Sequence, residues 1–200
     1  DPGPASDGLK GLQRTLEVLK ERAFSPDVLQ VEKISLSAED PSSSFTRKWE
    51  ALTSLAARNS VGHSAYHNLK LLSEVSALEK EILFERANEE RRELLAEFKS
   101  VLDPPDREAL VLKTLGFKAG KITESDFHLY LTDTASRTGV AVSRYPNLML
   151  YTRYLILFDS IDLARVFVEL EEFEGRLKKA LFTRPDEPLL NELANRLHIV

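Results

Sequence analysis

The sequence predicts an all-α fold, a helical bundle built from two pseudo-repeats of ~80 residues, each ending in a long helix. Three observations carry this expectation. Apolar residues recur at spacings of three and four along most of the chain, the period of one helix face. No useful stretch alternates apolar and polar residues, and no hairpin turn signal separates two apolar runs. Finally, Trp49–Phe98 lies on His128–Leu177 at a fixed spacing of 79 without gaps, and 15 of the 50 paired positions are identical.

Taken in order, residues 1–8 are rich in Pro, Gly, Asp and Ser and are expected to fray. Leu9, Leu12, Leu16, Leu19 and Ala23 then mark one face of a helix that Pro26 ends. Asp27–Leu36 reads as a short helix, and Ser37–Ser44 as the clearest loop. Helical spacing returns over Phe45–Arg58 with Phe45, Trp49, Leu52 and Ala56. A link at Asn59–His63 leads to the longest helix expected, about Tyr66–Leu102, on the seam Leu71, Val75, Leu78, Ile82, Leu94, Phe98 and Val101. Its middle, Glu85–Glu93, is almost wholly charged and reads as a solvated face held by helical ion pairs.

Asp103-Pro104-Pro105 is the sharpest break, because proline stops one helix and suits the first turn of the next. Asp106–Phe117 follows, with Leu110, Leu112 and Leu115 buried by pattern and Gly116 and Gly120 marking its end. Thr123 is placed to cap a helix running to Arg137, closed by Gly139. Ser143–Phe158 and Ile161–Phe182 come next. Ser160 and Asp162 suit a helix start, but the ungapped match to Glu79-Lys80-Glu81-Ile82 favours a continuous or gently bent helix there. Pro185 and Pro188 precede a last helix, Leu189–Leu197.

The repeat sets the organisation. Residues 1–24 form a tail and helix, 25–103 the first copy, 104–182 the second, and 183–200 a C-terminal helix. The identities include Leu52/Leu131, Ala56/Ala135, Val61/Val140 and Ser64/Ser143, the serines being placed to cap the second helix of each copy. Tyr66, Asn68 and Leu69 match Tyr145, Asn147 and Leu148, a shared Tyr-x-Asn-Leu signature with a structural role at a helix start. Upstream, Lys33–Ala56 lies against Lys113–Ala135 with one extra residue in the loop. The string Leu115-Gly116-Phe117-Lys118-Ala119-Gly120-Lys121-Ile122, followed by Ser143-Arg144-Tyr145-Pro146-Asn147-Leu148, resembles helical regions of uncharacterised large bacterial proteins in which Tyr-Pro-Asn-Leu helix starts recur. The resemblance spans about residues 25–180, and the first copy departs from it with His67 where Pro146 stands. It implies a repeat unit of bacterial origin and no known function.

Composition narrows the chemistry. Hydrophobic residues are 42% and charged residues 30%, an ordinary globular balance. With no cysteine, thiolate zinc sites, iron–sulfur clusters, disulfides and cysteine nucleophiles are excluded. A net charge of −5 with interleaved signs leaves no basic footprint for nucleic acid, and no apolar run approaches the ~20 residues of a membrane helix. The lack of cysteine and of a signal peptide points to the cytoplasm. Because the chain begins Asp1-Pro2-Gly3-Pro4 and ends inside an amphipathic pattern, a piece of a larger protein is expected.

Few constellations suggest catalysis. His63 and His67 have the i,i+4 spacing of a helical metal pair, with Glu74, His128 or another carboxylate as third ligand, but Ser64 as a cap would leave His63 outside the helix. Glu124 and His128 sit near a helix start, where a carboxylate can orient a histidine as general base. The Glu169–Glu174 and Glu85–Glu97 carboxylates lack the Glu-x-x-His pairs of a di-metal bundle and read as solvated. No nucleophile elbow or P-loop is present. The expected function is therefore a non-catalytic helical module for protein–protein interaction or scaffolding, without cofactor, meeting a protein partner or the remainder of its own chain. Tyr151, Tyr154 and Phe158 are the expected contact surface. The alternative is a small hydrolase, acting on esters or phosphoesters, that uses a divalent metal on His63 and His67.

Overall fold

The computed structural model describes residues 4–36 and 41–198. The described residues are all-α, with ten helices and no strand. The helices are α1 Pro4–Ala23, α2 Pro26–Leu36, α3 Pro41–Arg58, α4 His67–Glu81 and α5 Phe84–Val101, then α6 Pro104–Lys118, α7 Glu124–Arg137, α8 Pro146–Asp159, α9 Leu163–Leu181 and α10 Glu187–His198. A 3-10 turn, Val142–Arg144, precedes α8. Among the described residues no helix is long and apolar enough to cross a membrane.

The chain forms two compact bodies, one of residues 1–67 with 164–200 and the other of residues 68–163. In the first, the core is built on Val28 and Val31 of α2, Leu52, Leu55 and Ala56 of α3, and Phe173, Leu177 and Leu181 of α9. Trp49 and Tyr66 meet the Phe173 ring edge-on at 5.1 and 5.4 Å. In the second, Leu94 and Phe98 of α5 and Leu102 just past its end pack with Phe127, Leu131 and Ala135 of α7, with Val140, Tyr145 and Leu148 completing the cluster. Phe117 of α6 stacks on Phe127 with rings parallel at 4.6 Å.

The helix boundaries repeat the spacing in the sequence. His67 and Pro146, which open α4 and α8, stand 79 residues apart, as do Phe84 and Leu163, which open α5 and α9. The long unbroken helices expected at Tyr66–Leu102 and Ser143–Phe182 are therefore each two helices, and the break falls at the same place in both. Neither break contains Gly or Pro. At each, an asparagine from elsewhere takes the first free donor of the new helix: Leu83 N–H donates to Asn147 Oδ1 at 3.4 Å, and Asp162 N–H to Asn68 Oδ1 at 2.9 Å. A side-chain acceptor there replaces the intrahelical carbonyl.

Local caps behave as the residue types dictate. Asp103 accepts from Asp106 N–H at 2.9 Å with prolines in the first turn, so α6 opens at Pro104 rather than Asp106. Thr123 accepts from Asp126 N–H at 3.1 Å. Other expectations change. Helix α1 already runs from Pro4, and Pro41–Ser44 belong to α3, with proline in its first turn; residues 37–40 of the expected loop lie outside the described residues. Ser64 and Ser143 do not cap, since α4 and α8 open three residues later. Gly116 lies inside α6 instead of ending it, and the reason is close approach: a Cβ there would come within 2.8 Å of Ile122 Cδ1.

The turn after α3 also matches the turn after α7. Val61 N–H donates to Ala56 O, and Val140 N–H to Ala135 O, both at 2.9 Å. The residue before each valine is left-handed: Gly139 at φ +74° and Ser60 at φ +58°. Glycine holds this conformation without Cβ strain, whereas serine meets it. Ser60→Gly should therefore stabilise the first body by about 0.5–1 kcal/mol. A urea midpoint unchanged or lowered would show that the turn is not strained at Ser60.

Candidate functional site

The repeated Tyr-x-Asn-Leu residues build a polar joint, not a ligand site. Asn147 opens its amide in two directions: Oδ1 accepts from Leu83 N–H, and Nδ2 donates to Glu90 Oε1 at 3.1 Å. The other Glu90 oxygen accepts from Leu148 N–H at 2.8 Å. So α8 caps the start of α5, and α5 caps the first turn of α8. Arg86 approaches Glu90 at 3.5 Å from one turn away. Glu90 is 1% exposed and Glu169, at its repeat position, is 6% exposed. These two carboxylates are expected on a solvated face and are instead buried, and for Glu90 the N-terminus of α8 supplies what water would have. Near the other end of α5, Glu97 accepts from the Tyr145 hydroxyl at 2.5 Å and pairs with Arg144 at 3.0 Å. Tyr66, Tyr145, Asn68, Leu69 and Leu148 are all buried, and Asn147 is half-buried.

The second cluster gathers Glu124 and His128 of α7, Arg91 of α5, and Tyr151 and Thr152 of α8. His128 is 1% exposed. Its Nε2 lies 3.3 Å from Arg91 Nη1, and its Nδ1 3.4 Å from Thr152 Oγ1. A guanidinium can only donate, so Nε2 is the acceptor and Nδ1 carries the proton. Thr152 passes its own hydroxyl hydrogen to Leu148 O at 2.8 Å. Burial first, and then the Arg91 cation, push the His128 pKa down to about 4. The ring is thus neutral, with both nitrogens engaged. Glu124 does not orient it. Glu124 accepts from the Tyr151 hydroxyl at 2.9 Å and lies 4.0 Å from Arg91, so the guanidinium stands between the two expected partners. Burial and the bond to Glu124 push the Tyr151 phenol up to about 12. This arrangement offers no free basic lone pair on His128.

The histidines of the metal expectation do not share a helix face. His63 lies in the link before α4, exposed, with its ring edge-on to Trp49 at 5.7 Å, and His67 is the first residue of α4. Among the described residues no group of three or more His, Asp or Glu side chains is placed to hold a metal ion.

Two apolar features face outward. Tyr151, Tyr154 and Phe158 form a row along α8, with Tyr154 stacked between the others at 6.2 and 5.9 Å, and Phe84 edge-on to the two tyrosines. The tyrosines are half-buried and Phe158 is exposed. The larger feature was not anticipated. Helix α6 buries none of its side chains fully. Leu112 and Leu115, expected in the core, are 62% and 57% exposed, as is Val111 at 56%. The cause is that α6 packs on α7 from one side through Leu110 and Phe117. Between α5 and α6 this leaves a groove of about 420 Å³ walled by Leu95, Phe98, Leu102, Leu110, Val111 and Leu115, with Lys99 and Arg107 along it.

Comparison with known proteins finds no matching family model, no similar curated protein and no similar solved structure.

The joint and the histidine cluster each yield an expected outcome. Glu90→Ala should cost about 2–4 kcal/mol, because it strands Leu148 N–H and the Asn147 amide in a buried site. A double-mutant cycle with Asn147→Ala should give a coupling of at least about 0.5 kcal/mol, whereas additive losses would mean that the two side chains act separately. For His128, the unfolded chain takes up a proton near pH 6.5 while the folded one resists until about pH 4. Folding stability should therefore fall as pH drops through that window and level off below it, by about 3 kcal/mol in all. Urea unfolding at pH 7.5 and pH 5 should show about 2 kcal/mol of this loss in the native chain and a smaller one in His128→Gln. Equal losses would assign the slope to other groups.

Proposed function

We propose that this chain is a non-catalytic helical module that binds a protein partner or another part of the protein to which it belongs. The observation that supports this reading best is the apolar surface of α6, a 15-residue helix that leaves Val111 and Leu115 exposed along the α5/α6 groove and Leu112 exposed beside them. Exposed apolar surface of this continuity marks interaction sites more often than it marks idle surface. Burying such a side chain is worth about 1.5–3 kcal/mol each, so a partner has energy to gain there. The stacked row on α8 is a second apolar surface, but its rings already contact one another and Phe84. The 79-residue recurrence supports a repeat unit, and the Tyr-Pro-Asn-Leu resemblance supports a bacterial source.

A photo-crosslinking amino acid at Leu112, in the chain expressed in its own host, should give an adduct with a discrete protein. The same label at Glu81, exposed at the end of α4, should not. Leu112→Arg should abolish the native complex while changing folding stability by less than about 0.5 kcal/mol. Indistinguishable adducts at the two positions, or none at Leu112, would remove the interaction reading.

A further inference from the structure

The surface of α5 and α6 has a counterpart on α2 and α9 of the first body, and there α1, which packs along α10, reaches it with a side chain. A spacing of 79 carries Pro26-Asp27 of α2 onto Pro105-Asp106 of α6, and Leu36 onto Leu115. The same spacing carries Leu177 and Lys178 of α9 onto Phe98 and Lys99 of α5, Leu181 onto Leu102 at the end of α5, and Ser35 onto Thr114. This register differs by one residue from the match of Lys33 with Lys113, and the residues lining the two surfaces follow it. In the first body, Leu16 and Lys20 of α1 and Phe24 just past its end turn inward, at 6%, 9% and 5% exposure. The buried face is not the expected Leu9, Leu12, Leu16, Leu19 and Ala23 stripe, since Leu12 and Leu19 are exposed and a lysine is buried. Lys20 is admitted because Glu32 of α2 receives it at 2.9 Å. Lys178 of α9 takes the other oxygen of the same carboxylate. A base on α1, an acid on α2 and a base on α9 thus join three helices, and Phe24 adds a ring contact with Phe182 at 6.4 Å.

In the second body one member of that triad is missing. Val111 occupies the place of Glu32, and Lys99 keeps the place of Lys178. Both line the groove, together with Arg107, which stands where Val28 is fully buried. The surface has lost its carboxylate and kept its cation. A guest helix carrying lysine at the third position of the triad would meet Lys99 with no carboxylate from the groove, keeping only such an acid of its own as Glu17, which pairs with Lys20 at 3.1 Å in α1. A guest with an acid there would restore the pair, its carboxylate meeting Lys99 directly.

From this complementarity we propose that the α5/α6 groove receives an amphipathic α-helix of a protein partner, which sets an acidic residue beside Lys99 as α1 sets Lys20 against Glu32, with apolar residues four positions before and after that acid. The apolar pair replaces Leu16 and Phe24, and the acid replaces Lys20. The proposal rests on the interaction reading above and names the chemistry of the partner.

Two labelled peptides test it against the full chain by fluorescence anisotropy. One is residues 9–24 with the native Lys20, and the other is the same peptide with Lys20→Glu. The Glu peptide should bind at least tenfold more tightly. The net charge of −5 on the chain works against this result, since long-range attraction favours the more cationic peptide. Val111→Glu, which restores the acid at the place of Glu32, should weaken the Glu peptide at least tenfold, and Lys99→Glu should reverse the preference between the two. Both variants lie at exposed positions, so unchanged urea midpoints are expected to accompany these effects. No binding by either peptide, equal binding, or a preference that Lys99→Glu leaves in place would overturn the proposal. A concentration-dependent dimer that Val111→Glu dissociates would overturn it in favour of a second copy of the chain. If the peptides fail while the crosslink at Leu112 still captures a discrete protein, the interaction module stands and the acidic helix falls. If both fail, both readings fall.

Discussion

The buried carboxylate of Glu90 constrains the second body more than any other group. A charge at 1% exposure must find its hydrogen bonds within the protein or be expelled. Glu90 finds them in the Asn147 amide and the Leu148 N–H, both in the first turn of α8. That choice fixes the depth at which α5 meets α8. It also fixes the break before α5, because the same asparagine that donates to Glu90 accepts from Leu83 N–H. Two helix starts, each with donors that have no partner in their own helix, are thus satisfied by each other. Moving either helix by a residue would leave an unpaired amide and an unpaired charge together. The hydrophobic cluster of Leu94, Phe98, Leu131 and Leu148 supplies the larger energy, but it would tolerate small slips that the polar joint does not.

What could be read in the sequence is what local chemistry decides. The helical spacing, the Asp103 and Thr123 caps and the turns closed at Gly120 and Gly139 depend on residues within one turn of each other, and they appear in the structure close to where their residue types place them. The breaks at 82–83 and 160–162 do not. No Gly or Pro marks them, and the residues responsible, Asn147 and Asn68, lie 64 and 94 positions away. Glu90 was hidden for a similar reason. It stands in the most charged stretch of the chain, where a helical pattern gives no sign that one carboxylate of several turns inward. Lys20 inverts the same error, since a lysine on an apolar stripe looks like an interruption until Glu32 and Lys178 are seen around it.

The candidate sites show a comparable division. His128 was singled out beside Glu124, yet its partners are Arg91 and Thr152, on two other helices, and nothing in the local sequence links them. The 79-residue spacing in the sequence sets a comparison beside the site. Trp49 occupies the position of His128, and Leu170 that of Arg91. One body fills this slot with an aromatic group packed on Phe173, and the other with a neutral imidazole held between a guanidinium and a hydroxyl. The aromatic solution is indifferent to pH. The polar one is stable only while the imidazole stays unprotonated, so only the second body depends on acidity through this slot.

Divergence between equivalent positions also bears on why one helix pair is met by α1 and the other is open. With Glu32 in place, the surface of α2 and α9 presents a carboxylate that a guest lysine and Lys178 share, and α1 supplies that lysine. Replacing the acid by valine removes the reason for a basic guest and adds apolar area at the same point. A helix with the α1 pattern would then set an ammonium against Val111 beside Lys99, with only the exposed Glu17 of its own helix to pair it. The valine thus does two things with one side chain. It enlarges the apolar surface that attracts a helix, and it excludes the kind of helix that already belongs to this chain. Specificity built by excluding the resident sequence is what a surface needs if it is to stay free for a different partner.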